Sequence, residues 1–225
     1  MKPGFTLNLS HDGIGLLHRA GPGWFTVGEV SLDDADLAGA LARLRRTALE
    51  LEPKGLTSKL IIPDTQILYS EIEAPGPDAA ARRAQIAVAL EGRTPYPVED
   101  LVFDWSGHGD VVQVAVVARD TLAEAEDFAE TYGFCPVAFV ASPAPGKFGG
   151  EPFFGLTSRA AQHLPEGARL DRDQDPVRPG GVIRAPIATA TADTLAEAPA
   201  EPVAEIEAEA PPAPKMTAPR NRRLR

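Results

Sequence analysis

Sulfur, aromatic rings, positive charge and long apolar runs are all scarce in this sequence. Cys135 is the single cysteine among 225 residues, which excludes an internal disulfide and a thiolate cluster for zinc and points to a reducing compartment. No window approaches the about 18 consecutive apolar residues of a spanning helix. The opening Met-Lys-Pro-Gly-Phe-Thr-Leu-Asn lacks the apolar run of a secretory leader. A cytosolic protein that meets a membrane only through partners is expected. The four histidines, His11, His18, His108 and His163, include no pair at the i, i+4 spacing that sets two imidazoles on one metal, so no metal site is expected. Lysine and arginine total 22 against 32 acids, a net charge of −10. Residues 1–165 carry 22 acids and 13 bases, whereas residues 166–225 carry ten and nine. The folded part is therefore acidic, repels phosphate backbones and suits a basic partner rather than nucleic acid.

Hydropathy patterning orders what is present. Phe5–Ser10 and Trp24–Val30 alternate apolar and polar residues, and Ile14–His18 is apolar; with turn chemistry between them they read as three strands. Ser31 is the expected N-cap of a helix with Asp33, Asp34 and Asp36 in its first turn, running to about Leu51 on a stripe of Leu37, Leu41, Leu44 and Ala48. Thr57–Ile62 and Gln66–Ile72 read as strands, Asp78 caps a helix to about Glu91, and Leu101–Trp105 is a strand. Val111–Ala118 is so uniformly apolar that a strand covered on both faces is expected. A helix from Asp120 ends at Gly133 in a left-handed C′ position, and Cys135–Ala141 is a further strand. Phe148, Phe153 and Phe154 sit in a glycine-rich loop expected to pack back on the domain, ahead of a short helix at Thr157–His163. From about Asp171 onward the alanine, proline, glutamate and threonine content cannot bury enough apolar area to offset chain entropy, so disorder is expected. Within that tail Asp193–Glu209 holds six acids and no base, and Lys215–Arg225 five bases and no acid.

The motifs of common chemistries fail on inspection. Gly146-Lys147-Phe148 lacks the spacing and the hydroxyl of a phosphate-binding loop, and Gly107-His108-Gly109 reads as a hairpin turn. Ser10-His11-Asp12 has triad residue types, yet triads are assembled by folding, not adjacency. Cys135 on an interior strand is expected to pack as a small apolar group. Glu99, Asp100 and Asp104 gather carboxylates after a proline-rich crossing; the expectation is that Glu99 and Asp100 stabilise a turn while Asp104 faces solvent.

That crossing, Leu90 to Trp105, carries the most information. Pro95 and Pro97 hold it extended and fix Tyr96 at a set angle. Its Pro-Tyr-Pro-Val-Glu step resembles the "Pro-aromatic-Pro-aliphatic-Glu" step of the PilM/GspL group of pilus-assembly and type II secretion proteins. The opening hairpin, Leu60-Ile61-Ile62-Pro63, Val112–Ala118 and Tyr132-Gly133-Phe134-Cys135-Pro136-Val137 are similar to counterparts in the same order. The resemblance implies an α/β (α+β) domain with a mixed sheet of ribonuclease H/actin-like type over residues 1–165, with a small inserted subdomain at about 64–140 and a tail at 166–225. In nucleotide-binding members an Asp-x-Gly turn contacts phosphate; the matching positions here are Asn8 and Ser10. With those groups lost and no second half after residue 165, a single lobe without cofactor or catalysis is expected. The resemblance also implies a site at the cytoplasmic face of the inner membrane. There a groove between core sheet and insert would dock a segment of an inner-membrane pilus or secretion protein. Tyr96, Val98, Phe103 and Trp105 are the expected contacts. A homo-oligomer is compatible with this, and Arg220–Arg225 could touch anionic lipid. The alternatives are an ATP-binding actin-like ATPase and a regulatory adaptor acting through its disordered tail.

Overall fold

In a computed structural model, residues 1–182 are described. The chain begins with an antiparallel meander, β1 (Phe5–Leu9), β2 (Gly13–Ala20) and β3 (Gly23–Ser31). Helix α1 (Leu37–Leu51) then crosses over to β4 (Ser58–Ile61), which lies parallel to β1 with Leu7 beside Leu60. A subdomain follows, made of β5 (Leu68–Glu73), α2 (Ala79–Leu90), β6 (Leu101–Ser106) and β7 (Val111–Ala118). Helix α3 (Arg119–Thr131) returns the chain to the main sheet at β8 (Pro136–Val140), parallel to β4. Strand β9 (Phe153–Leu156), the four-residue helix α4 (Ala160–His163) and β10 (Pro179–Val182) complete the described chain. The sheets run β10-β3-β2-β1-β4-β8-β9 and β5-β7-β6. The five strands β3-β2-β1-β4-β8, a meander joined to parallel crossovers, form the mixed sheet expected of the ribonuclease H/actin-like type.

Alternation along the strands assigns two faces. Phe5, Leu7, Leu16 and Leu60 turn to one side and are buried with Leu41, Leu44 and Ala48 of α1 and Leu122, Ala125 and Ala129 of α3. Leu17, Trp24, Ile61 and Val140 turn to the other and are buried with Val177. The insert repeats the pattern on a smaller scale. Val112, Val114 and Val116 of β7 pack with Ile86 and Leu90 of α2, while Ala115 and Val117 join the main core, so both faces of β7 are covered. β8 sits in the main sheet, so the small sheet ends with β7 at Ala118 and not at about 140.

Two boundary expectations are corrected. Ser31 ends β3, opposite Gly13, and the cap of α1 is Asp36, whose Oδ1 accepts from Gly39 N at 3.0 Å. The ladder to β2 holds Ser31 in a strand, and Asp34 serves an Asx turn whose Oδ1 accepts from Asp36 N; α1 has no acid in its first turn. Residues 166–182 also belong to the ordered domain. Val177 is buried, and β10 lies beside β3. Their composition is that of a tail, but one carboxylate and one valine fasten them to the sheet. The expected disorder of 183–225, with Lys215–Arg225 and Arg220–Arg225, lies outside the described residues.

Candidate functional site

The carboxyl ends of β1, β4 and β8 meet at one edge of the sheet, the place where open α/β sheets receive ligands. A cleft of about 340 Å³ opens there, lined by Asn8, Ser10, Asp12, Asp64, Thr65 and Arg178 among others. Asn8 and Ser10 are thus where the sequence places them. Ser10 and Gly13 of the β1–β2 turn bond each other: Ser10 N donates to Gly13 O at 3.0 Å, Ser10 Oγ donates to the same oxygen at 2.8 Å, and Gly13 N donates to Ser10 Oγ at 3.1 Å. His11 Nε2 lies 2.7 Å from Thr65 Oγ1, so the hydroxyl and imidazole of Ser10-His11-Asp12 have separate partners. Asp64 pairs with Lys147 at 2.9 Å, and the Lys147 ammonium stands 5.3 Å from the Tyr69 ring centroid. Burial first, then the adjacent Asp64 carboxylate, push the Tyr69 phenol far above its ordinary range; its Oη is enclosed without a hydrogen bond of ordinary geometry. The cleft therefore carries two carboxylates, Asp12 and the Lys147-paired Asp64, and one guanidinium, that of Arg178, which also donates to Pro143 O.

The insert presents different chemistry. β5 pairs with β7 on one side only and stands at the edge of its sheet. Beside it, Glu73, Pro75, Ala84, Gln85, Val88 and Ala89 line a shallow groove of about 470 Å³. Val88 is 66% exposed on the helix that forms one wall. The sequence dictates this: Ile86 and Leu90 take the inward face of α2, and Asp78 Oδ1 caps the helix from Ala81 N at 2.8 Å, leaving Val88 on the outer side. Residues 64–118 contain nine acids and three arginines, so the field around the groove is negative.

The expected contact residues are not gathered on one surface. Tyr96 is 47% exposed, while Val98 is half-buried against the insert core. Phe103 is buried in that core, because β6 turns Leu101 and Phe103 toward α2. Trp105 packs beside it under the Arg83 guanidinium, which lies 5.0 Å from its ring and 5.1 Å from that of Phe103. Trp105 also borders a pocket with Arg82 and His108. The expected groove between insert and core sheet is filled, since Ala115, Val117, Val102 and Tyr69 pack into the main core.

Asp104 is a further correction. It is largely enclosed, accepting from Phe153 N at 2.9 Å and pairing with Arg172 at 2.5 Å. Glu99 and Asp100 lie in a short 3-10 turn, Val98–Asp100, and Glu99 O accepts from Arg119 Nε at 2.8 Å. His18 lies 3.4 Å from Glu52 and His163 2.5 Å from Glu130. Cys135 is half-buried against the core, where burial and then the Glu130 carboxylate raise its thiol pKa.

Sequence reading missed a buried ionic cluster. Lys59 is 3% exposed and bonds Glu151 Oε1 at 2.6 Å and Asp173 Oδ2 at 2.7 Å. Arg19 and Lys2 reach the same aspartate at 2.5 and 2.8 Å. Burial pushes the Glu151 carboxyl up to about 7 against the pull of Lys59. Burial works the same way on Asp173, but hydrogen bonds from Arg19, Lys2 and Lys59 outweigh it and hold that carboxyl well below the usual range. A lysine inside a strand that otherwise reads Leu-Ile-Ile was the available signal; its partners are 92 and 114 residues away.

No family model matches the sequence, and no curated protein is similar to it by sequence. Solved structures similar in fold include the following two. One is the cytoplasmic domain of EpsL, an inner membrane component of the type II secretion system of Vibrio cholerae, with 18% identity, a TM-score of 0.47, and coverage of 63% of this chain and 60% of that one. The other is a PilM-PilN type IV pilus biogenesis complex, with 17% identity, a TM-score of 0.49, and coverage of 63% and 48%. The match thus spans about half to three-fifths of those chains.

Proposed function

We propose that this protein is a non-catalytic assembly module that docks a cytoplasmic segment of an inner-membrane protein of a pilus or secretion machinery. The observation that carries the reading is the groove between β5 and α2, where an unpaired strand edge adjoins an exposed apolar strip on an acidic subdomain. An edge strand offers main-chain hydrogen bonds to an extended segment, and the strip offers a seat for alternate side chains. Cytoplasmic flanks of membrane spans are enriched in lysine and arginine, which complements nine acids against three arginines in the insert. The motif order from Leu60 to Val137 gives independent support from sequence. Against the ATPase alternative stand the internal bonds of Ser10 and Gly13 in the β1–β2 turn and the carboxylates of Asp12 and Asp64 on the cleft wall.

Calorimetry separates the two. Magnesium-ATP should give no saturable heat, whereas micromolar binding with turnover would contradict the docking reading. In the converse experiment, Val88→Glu should lower affinity at least tenfold for a cytoplasmic segment, rich in lysine and arginine, of a single-span inner-membrane pilus or secretion protein, with an unchanged melting temperature. Unaltered affinity would place the dock elsewhere.

A further inference from the structure

The free edge of β5 has a fixed parity. β5 pairs with β7 without a register shift, Glu71 beside Gln113, Ile72 beside Val112 and Glu73 beside Val111. One step further along the same ladder, Ala74 N donates to Asp110 O at 2.7 Å. In an antiparallel pair only alternate residues bond the partner strand, so Ala74 and Ile72 spend their main-chain groups on β7. The N–H and C=O of Glu71 and Glu73 therefore point the other way, to the side on which β5 has no neighbouring strand.

Side chains alternate with the same period. Ile72 turns toward α2 and is buried with Ile86, Leu90, Val112 and Val114. Glu71 and Glu73 turn to the opposite face, where both are exposed. Their cross-strand neighbours are neutral: Gln113 Nε2 donates to Gly146 O, and Val111 is 55% exposed. Among the described residues neither glutamate has an ion-pair partner. The α2 side has different chemistry. Val88 stands exposed there, and Arg93 Nη1 donates to Ser70 Oγ at 3.0 Å, so that side holds an apolar seat and a cation.

A strand added to this edge would set the residues facing Glu71 and Glu73 on the glutamate face and the residue between them on the α2 face, whichever way it ran. We propose that the β5 edge reads an extended partner segment of the order basic, apolar, basic, with Lys or Arg opposite Glu71 and Glu73 and an aliphatic side chain between them against Val88. This assignment rests on the docking role proposed for the β5–α2 groove and adds the residue order of the partner. A base in the central position would stand on the side of Arg93, away from both carboxylates. A second copy of this chain is the wrong occupant: pairing two β5 edges about Ile72 sets Glu71 opposite Glu73, and like charges facing one another across a ladder repel. The two glutamates thus admit a basic strand and guard the edge against its own kind.

The test measures the fluorescence anisotropy of two labelled peptides of identical composition against the full-length protein. One carries Lys-Leu-Lys and the other Lys-Lys-Leu, each flanked by serine and threonine. The second order gives up one cross-strand ion pair and the apolar contact, so the first peptide should bind tighter by about threefold or more. Glu71→Lys combined with Glu73→Lys should weaken the Lys-Leu-Lys peptide by about tenfold or more and turn the preference to Glu-Leu-Glu. Equal affinity of the two lysine peptides, abolished by Val88→Glu, would keep the dock and overturn the residue order. Equal affinity that survives Val88→Glu, or no binding of either peptide to the wild-type chain, would remove the docking reading and the order with it. An unchanged preference in a double variant with native circular dichroism also overturns the order. If that variant unfolds, the comparison of the two lysine peptides on the wild-type chain decides alone.

Discussion

Lys59 joins two carboxylates that the chain brings back from 92 and 114 residues further on, and its removal is the severest single change at this scale. Replacing it with methionine keeps the stem but leaves Glu151 enclosed without its cation, which should cost about 3–5 kcal/mol in urea unfolding; a loss under about 1 kcal/mol would contradict the burial argument. Glu151 itself makes stability depend on pH. Its carboxyl is raised from 4.5 to about 7, so below pH 4.5 it is protonated in both folded and unfolded chains. Between those values the unfolded chain gives up its proton first, and the group's contribution falls as pH rises, until it is lost above about 7. Lys59 of β4 and Arg19 of β2 oppose this shift and Asp173 adds to it. Glu151→Gln should therefore flatten the stability curve between pH 4.5 and 7, measured by urea midpoints across that window; an unchanged slope would assign the dependence to other groups. Asp173 acts in the other direction, its contribution being lost only as pH falls below the ordinary aspartate value.

At the scale of elements, local chemistry proved readable where it is short in range. Asp78 caps α2, and Gly133, at a φ of 71°, ends α3 in a Schellman arrangement: Phe134 N donates to Ala129 O and Gly133 N to Glu130 O, both at 2.9 Å. Gly133→Ala should cost about 1 kcal/mol, since a Cβ there meets strained backbone and would lie 2.9 Å from Arg45 Nε; an unchanged urea midpoint would refute that role. The helix start at Ser31 misled because four acceptor side chains in six residues offer equivalent caps, and the ladder of β3 to β2 selects the last. Phe103 misled for a related reason: the Pro-Tyr-Pro step announces an unusual backbone, but the parity of β6 decides which rings face inward. The face of a strand follows from pairing partners, and those lie outside any local window. Asp104 and residues 166–182 were illegible on the same ground, since Arg172 and Asp173 acquire meaning only once that segment crosses Asp104, Arg19 and Lys59.

As a whole molecule, the protein combines a five-strand mixed core sheet with an inserted subdomain whose inner face is spent on packing and whose outer face is not. The core arrangement follows from a meander, two helical crossovers and the apolar parity of β1, β4 and β8. The location of the proposed dock does not, because Val88 differs from any other helical valine only in having nothing over it. Removing residues 183–225 should leave the melting temperature of the domain and its capture of the membrane-protein segment unchanged; loss of capture would transfer the function to the tail. The most direct measurement is hydrogen exchange of the full chain titrated with that cytoplasmic segment. The docking account predicts protection over residues 68–75 and 84–89. Protection confined to residues 8–12 and 61–65, at the cleft, would contradict it.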